Sequence, residues 1–317
     1  MRDSSKTQVI LLVADPQIQG YQDEKSFPIG SFARWDIDRY LSQTFGLAYS
    51  YCKPDVVIFL GDLMDEGSKA TTLEYKYYYY RVQSIFSAAK YTKKIYVPGD
   101  NDVGGEYRDM RTEKKVDRFV KHFEELLGIV KFGFVDYIKL DLRTHDSYSE
   151  DRQQFAERHR FQVTSPVKIL VGHETVSPKL KMHVYPILKL LKPQLIFSAH
   201  WHKSNLFECS DCMMNDDDHW SVHRRDISNV EGYLNINLTG KYSLTEIMVP
   251  TCSYRMGEEN MGYGVAIIDS DLNMKYTVLW LPQRYLLLYM YLFVGGVVLL
   301  FNILVVICFE MGKRKRR

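Results

Sequence analysis

Apolar residues in this chain gather in short runs separated by longer mixed stretches. Five runs have strand character, at 9–14, 56–60, 95–98, 167–171 and 195–199. Helix-like stretches lie between them at 35–51, 73–90, 113–127 and 183–191. Short strands alternating with helices predict an α/β fold. Two later runs, 263–268 and 276–281, read as closing strands. No linker rich in Pro, Gly or Ser and no repeat divides residues 1–282, so they read as one domain.

Residues 285–309 differ in kind. They form 25 positions without a charge, bounded by Arg284 and Glu310. As a helix this run covers about 37 Å, more than the ~30 Å hydrocarbon core of a bilayer, so it is expected to cross a membrane with some tilt. Tyr285, Tyr289 and Tyr291 suit one interface, and the basic tail within 310–317 suits a stop.

Composition refines this picture. With 46% hydrophobic and 25% charged residues the chain is of the folded globular class. The net charge of +2 hides an asymmetry: without the five basic residues 313–317, 36 Lys and Arg face 39 Asp and Glu, a net of −3. A mildly acidic body with its excess cations confined to one end has no distributed basic face, so no nucleic-acid partner is expected. Outside the span lie Cys52, Cys209, Cys212 and Cys252. The Cys209-x-x-Cys212 pair fits half a zinc site or a disulfide, and no second such pair exists to complete a structural zinc.

The chemistry lies where the strands end. The five runs are followed by Asp15, Gly61-Asp62, Gly99-Asp100, Gly172-His173 and His200. A single Gly-Asp after a strand is usually a turn or a helix cap. Five potential ligands at five strand ends are a different matter, because α/β sheets bind ligands beyond the carboxyl ends of their strands. Carboxylates and imidazoles together suit two divalent cations sharing a bridging carboxylate. Such a pair polarises phosphoryl oxygens and acidifies water. Asp15-x-Gln17 and His200-x-His202 are i, i+2 pairs that point the same way in an extended segment.

These motifs resemble the calcineurin-like metallophosphoesterase superfamily in content and order. Its signature is matched, with substitutions, by Asp15-Pro16-Gln17, Gly61-Asp62-Leu63-Met64-Asp65, Gly99-Asp100-Asn101-Asp102, His173 and Ala199-His200-Trp201-His202. The resemblance implies a β-sandwich flanked by helices. It also implies a metal site in which Asp15 and His202 serve one ion, Asp62 bridges, and Asp100, His173 and His200 serve the other, with Gln17 able to ligate through its carbonyl oxygen. Asn101 and Asp102 fall at the catalytic motif. Gln17 stands where the superfamily has His, which favours manganese or magnesium over zinc. Asp100 replaces an Asn ligand. Asn101 replaces the His to which the resemblance assigns protonation of the leaving group or stabilisation of the transition state, and losing a positioned acid costs about 10²- to 10⁴-fold.

Gly61 to Gly67, Val103-Gly104, the span and the basic tail narrow the resemblance to the membrane-bound metallophosphoesterase 1 branch. That branch removes side-chain ethanolamine phosphate from GPI anchors. It implies GPI-anchored proteins as substrates, traffic between endoplasmic reticulum and cis-Golgi, and coat proteins reading Lys313 and Lys315, which sit like a dibasic retrieval signal. A cytosolic tail and a lumenal domain follow from that address and from the positive-inside rule, and Asn237-Leu238-Thr239 is a sequon in keeping with them. Family members carry an N-terminal membrane segment, whereas residues 1–8 are polar and lead straight into the first strand. The lumenal reading therefore expects a start upstream of this one; insertion by the tail alone would leave the domain in the cytosol. Two other readings compete: a GPI-anchor receptor that kept the fold but lost catalysis at Asn101, and a general phosphomonoesterase facing the cytosol.

Remaining features read as structural. The run Tyr77 to Tyr80 is expected to pack with its rim exposed, rather than to form a carbohydrate platform. Asp216 to Asp218 lack the glycine and glutamate of a calcium loop. His219 and His223 would share a helix face but sit in polar sequence and read as surface residues. His122, His145, His159 and His183 carry no motif.

Overall fold

The computed structural model describes residues 6–315 except 106–108, 142–148, 178–183, 211, 213–220 and 241–242. Asp216 to Asp218, His219, His145 and His183 lie outside the described residues. The chain separates into two units, Met1–Leu281 and Pro282–Arg317.

Along the first unit the strands are β1 (Thr7–Val13), β2 (Val56–Phe59), β3 (Lys93–Tyr96), β4 (Gly128–Phe132), β5 (Val135–Lys139), β6 (Val167–Val171), β7 (Leu195–Ser198), β8 (Asn205–Cys209), β9 (His223–Asp226), β10 (Leu234–Asn237), β11 (Leu244–Met248), β12 (Gly262–Asp269) and β13 (Asn273–Trp280). The helices are α1 (Ile29–Cys52), α2 (Thr72–Ile85), α3 (Asp100–Val103), α4 (Glu113–His122), α5 (Ser149–His159) and α6 (Tyr185–Leu191). The strands form two sheets, ordered β10-β13-β12-β1-β2-β3 and β4-β5-β6-β7-β11-β8-β9.

Alternation along the strands builds the layers. On β1, Ile10 and Leu12 join Ile58 of β2 and Ile169 and Phe197 of the other sheet in one core. Val9, Leu11 and Val13 face a second core with Leu41 and Phe45 of α1 and Tyr75, Tyr78 and Val82 of α2. Ile138, Leu170 and Ile196 face a third with Leu188 of α6. The result is a sandwich with helices on both outer faces.

The five anticipated strands are not one sheet. β1, β2 and β3 are parallel neighbours in the first sheet, and β6 and β7 are parallel neighbours in the second. Some helix limits also shift. α1 begins six residues before the expected position, and α4 stops at His122, because Glu124 beyond it is committed to the Tyr96 backbone N–H (3.1 Å) and Lys139 (2.8 Å). His223 lies on exposed β9 rather than on a helix. Cys209 and Cys212 form a disulfide, and Cys252 is a buried thiol.

The second unit is one helix, α7 (Arg284–Lys315). Within residues 284–313 an 18-residue stretch has a mean hydropathy of 2.9 with none of it buried, and the segment is long and apolar enough to span a membrane.

Candidate metal centre

The site is built at the carboxyl ends of β1, β2, β3, β6 and β7, where the two sheets meet. The chain must turn sharply there. Among the described residues, eight non-glycine positions have positive φ, and five of them are Asp15 (47°), Gln17 (39°), Asp62 (49°), His200 (72°) and His202 (60°). Left-handed backbone costs a non-glycine residue about 1–3 kcal/mol and tends to collect at functional sites. The glycines of the motifs have their own reason. A Cβ on Gly99 would lie 2.0 Å from Asp62 Oδ1, and one on Gly61, where φ is 93°, would lie 2.6 Å from His173 Nδ1. Only glycine lets these two turns close on one another.

Ligand atoms of Asp15, Asp62 and His173 lie within 4.8 Å of one another, as do those of Asp100, His173 and His200. His173 belongs to both groups. Its Nδ1 donates to the Leu60 carbonyl at 2.7 Å, which fixes the ring and turns Nε2 toward Asp100 Oδ1 (3.1 Å) and Asp62 Oδ1 (3.6 Å). His200 Nδ1 stands 3.2 Å from Asp100 Oδ1. Asp15, Asp62, Asp100 and His173 are buried, while His200 and His202 are partly open to solvent.

The donor set fits divalent cations. Neither carboxylate oxygen of Asp15 has a hydrogen-bond partner, although both are buried. A buried carboxylate left so is costly unless it is protonated or meets a cation. Burial pushes Asp15 up to about 8 and raises Asp62 as well. Burial acts on Asp100 too, but hydrogen bonds with His173 and His200 outweigh it and hold that carboxyl far below the usual range. Burial opposes charge on His173, yet Asp62, Asp100 and Asp15 together raise it well above the ordinary value. Its hydrogen bond to Asp100 raises His200. Burial, with repulsion from His173 and His200, lowers His202 to about 4, so its ring is neutral near pH 7 and suited to ligation.

The remaining residues named from the sequence surround this core. Gln17 Nε2 donates to Asp62 Oδ2 at 3.1 Å and lies 3.3 Å from His202 Nε2. Ligation by its carbonyl oxygen requires the amide to turn over. Asn101 holds the same carboxylate, with its backbone N–H on Asp62 Oδ1 (3.0 Å) and its Nδ2 on Oδ2 (2.8 Å). Asp102 belongs to the third motif. It is fully buried, and its oxygens accept from the backbone N–H groups of Gly99 (2.9 Å), Met64 (3.1 Å) and Leu63 (3.2 Å). That ties the second and third motifs together; burial, then Asp62, push its carboxyl up to about 7.

A family model, calcineurin-like phosphoesterase, matches residues 9–204, which takes in every strand end described above. The chain belongs to the calcineurin-like phosphoesterase family. It is 23% identical to metallophosphoesterase 1 of Xenopus laevis over 64% of this chain and 63% of that protein. It therefore spans less than two thirds of that relative. Among solved structures, the purple acid phosphatase PPD1 of yellow lupin (Lupinus luteus) shares the fold, with a TM-score of 0.51 and 12% identity over 86% of this chain and 51% of the lupin chain. A dimetal phosphatase of Danio rerio gives 0.44, at 10% identity, over 84% of this chain and 98% of that one. The family is one built on a two-metal site.

Two residues of this phosphoesterase's site region escaped the sequence reading. Glu66 is buried and accepts the backbone N–H groups of Tyr21 (2.9 Å), Gln22 (2.8 Å) and Asp23 (2.7 Å), pinning the loop that leaves Gln17. Its place in the extended motif Gly61 to Gly67 was the available signal. Thr251 Oγ1 donates to the Asp15 carbonyl at 2.8 Å from a segment that carries no motif at all.

Proposed function

We propose that this chain is a membrane-tethered, metal-dependent phosphodiesterase that removes ethanolamine phosphate from GPI anchors in the early secretory pathway. The observation that carries the phosphoesterase reading is the pair of carboxylate–imidazole groups joined at His173, beside an Asp15 carboxylate with no hydrogen bond of its own. The GPI reading rests on the extended second motif, the apolar helix and the basic tail. The proposed ligands are Asp15, Gln17, Asp62 and His202 for one ion, and Asp62, Asp100, His173 and His200 for the other, with manganese as the favoured metal.

Two divalent ions supply Lewis acidity toward phosphoryl oxygens and water. The protein's share is orientation. Asn101 steadies the Asp62 carboxylate, the Leu60 carbonyl fixes the His173 ring, and Asp102 holds the two turns in register. The Asn101 amide is too weak an acid to protonate a leaving sugar oxygen, which would take its proton from water, so turnover would be slow. The test is hydrolysis of an ethanolamine phosphodiester by the full chain with manganese, and side-chain ethanolamine phosphate on GPI proteins in cells without it. No hydrolysis, or normal anchor processing without the protein, contradicts the proposal. A second reading, an anchor receptor without catalysis, is favoured by the Asn101 amide being committed to Asp62; anchor binding without turnover would select it.

A further inference from the structure

The start of α1 is unusual for a helix of a soluble domain. Phe27, Ile29, Phe32 and Trp35 are all more than half exposed, Phe27 at 85%. The Phe32 and Trp35 rings lie 5.6 Å apart, and the Arg39 guanidinium sits 5.5 Å from the centre of the Trp35 ring. Lys25 adds a second exposed cation. The opposite side of the same helix is committed to the core through Ile37, Leu41 and Phe45. Exposed aromatic and aliphatic side chains beside Lys and Arg are the pattern of a segment lying at a bilayer interface.

What occupies this patch follows from where the domain ends. β13 runs antiparallel to β12, and β12 antiparallel to β1, so the end of β13 lies at the edge that carries Asp15. There Leu281 donates its N–H to the Met261 carbonyl at 2.9 Å. Met261 Sδ accepts from Tyr40 of α1 at 3.8 Å, and Tyr254 of the same loop donates to Asp36 of α1 at 2.8 Å. The exit residue thus lies beside a loop that bonds to the second and third turns of α1, at Asp36 and Tyr40. Only Pro282 and Gln283 separate it from Arg284, where the apolar helix starts, a link of about 10 Å when extended.

We infer that the exposed apolar patch at the start of α1 docks on the surface of the membrane that the chain's own apolar helix crosses, which holds the candidate metal centre at the headgroups. The patch and the exit point share the site's edge of the sandwich, and the short link keeps that edge within reach of lipid. The docking does not depend on which phosphoester is the substrate, or on turnover.

The experiment uses the full chain in nanodiscs, with Cys52 and Cys308 replaced by Ser and an environment-sensitive dye on Phe32→Cys. The same dye on Tyr91→Cys, 92% exposed ahead of β3 and so at the opposite edge, is the reference. Brominated phospholipid is expected to quench the dye at position 32 at least two-fold more than at 91. Equal quenching at both positions overturns the inference. So does self-quenching at 32 between two chains in one disc without quenching by lipid, which would assign the patch to a second copy. Melting of each variant within a degree or two of the parent chain shows that it is folded, and the dye reports with or without hydrolysis.

Discussion

At the scale of residues, the site is a set of turns that few side chains tolerate. Gly99→Ala drives a methyl into Asp62, 2.0 Å from Oδ1. It is expected to abolish hydrolysis and lower stability by about 2–4 kcal/mol, measured by diesterase rate and denaturant unfolding. Unchanged rate would mean that the two turns need not meet. Asn101→His tests the missing acid. It removes the 2.8 Å bond from Asn101 Nδ2 to Asp62 but restores a titratable donor, and turnover is expected to rise about 10²-fold. Asp15, Asp62, Asp100, His173 and His200 were legible in the sequence because each follows an apolar run, directly or after one glycine, and those five residues make up the two close groups. Asp102 was legible as a motif member, but nothing in the sequence says that both its oxygens are taken by backbone N–H groups.

At the scale of elements, the apolar runs marked the strands that matter most and missed those with buried polar groups. β5 reads VDYIK: Asp136 is buried because it accepts from the Thr164 and Ser165 backbones, and Lys139 because it meets Glu124. β11 reads LTEIM, with Glu246 buried against Ser198 Oγ (2.5 Å) and the Val176 and Ser177 backbones. Such strands carry no apolar run, so the second sheet could not be assembled from the pattern. α1 was read short for the converse reason, since its first turns expose apolar residues and are not amphipathic toward the core. Loop anchoring gives a further expectation. Glu66→Gln replaces an acceptor of three backbone N–H groups with an amide that accepts through one oxygen only. A loss of about 1–3 kcal/mol and faster proteolysis between residues 19 and 28 are expected, with Thr71→Ala, a surface helix cap on α2, as a comparison costing about 1 kcal/mol without opening that loop.

At the scale of the whole molecule, the small net charge is the sum of a slightly acidic domain that gathers carboxylates at one edge and a basic tail beyond an apolar helix. Because the native site alone assembles those ligands, metal binding and stability are linked. Manganese at about 100 times its Kd adds about 2.7 kcal/mol, which for a domain of this size raises Tm by about 5 °C. The same addition to the Asp62→Ala variant is expected to raise it little.

The central claim is that one edge of the sandwich holds two divalent ions through the groups joined at His173. Elemental analysis of the purified full chain by plasma mass spectrometry, after equilibration with manganese and removal of free metal, tests it most directly. About two ions per chain are expected, and one or fewer after Asp62→Ala. A parent chain that retains no divalent ion, or a variant that retains as many as the parent, would contradict it.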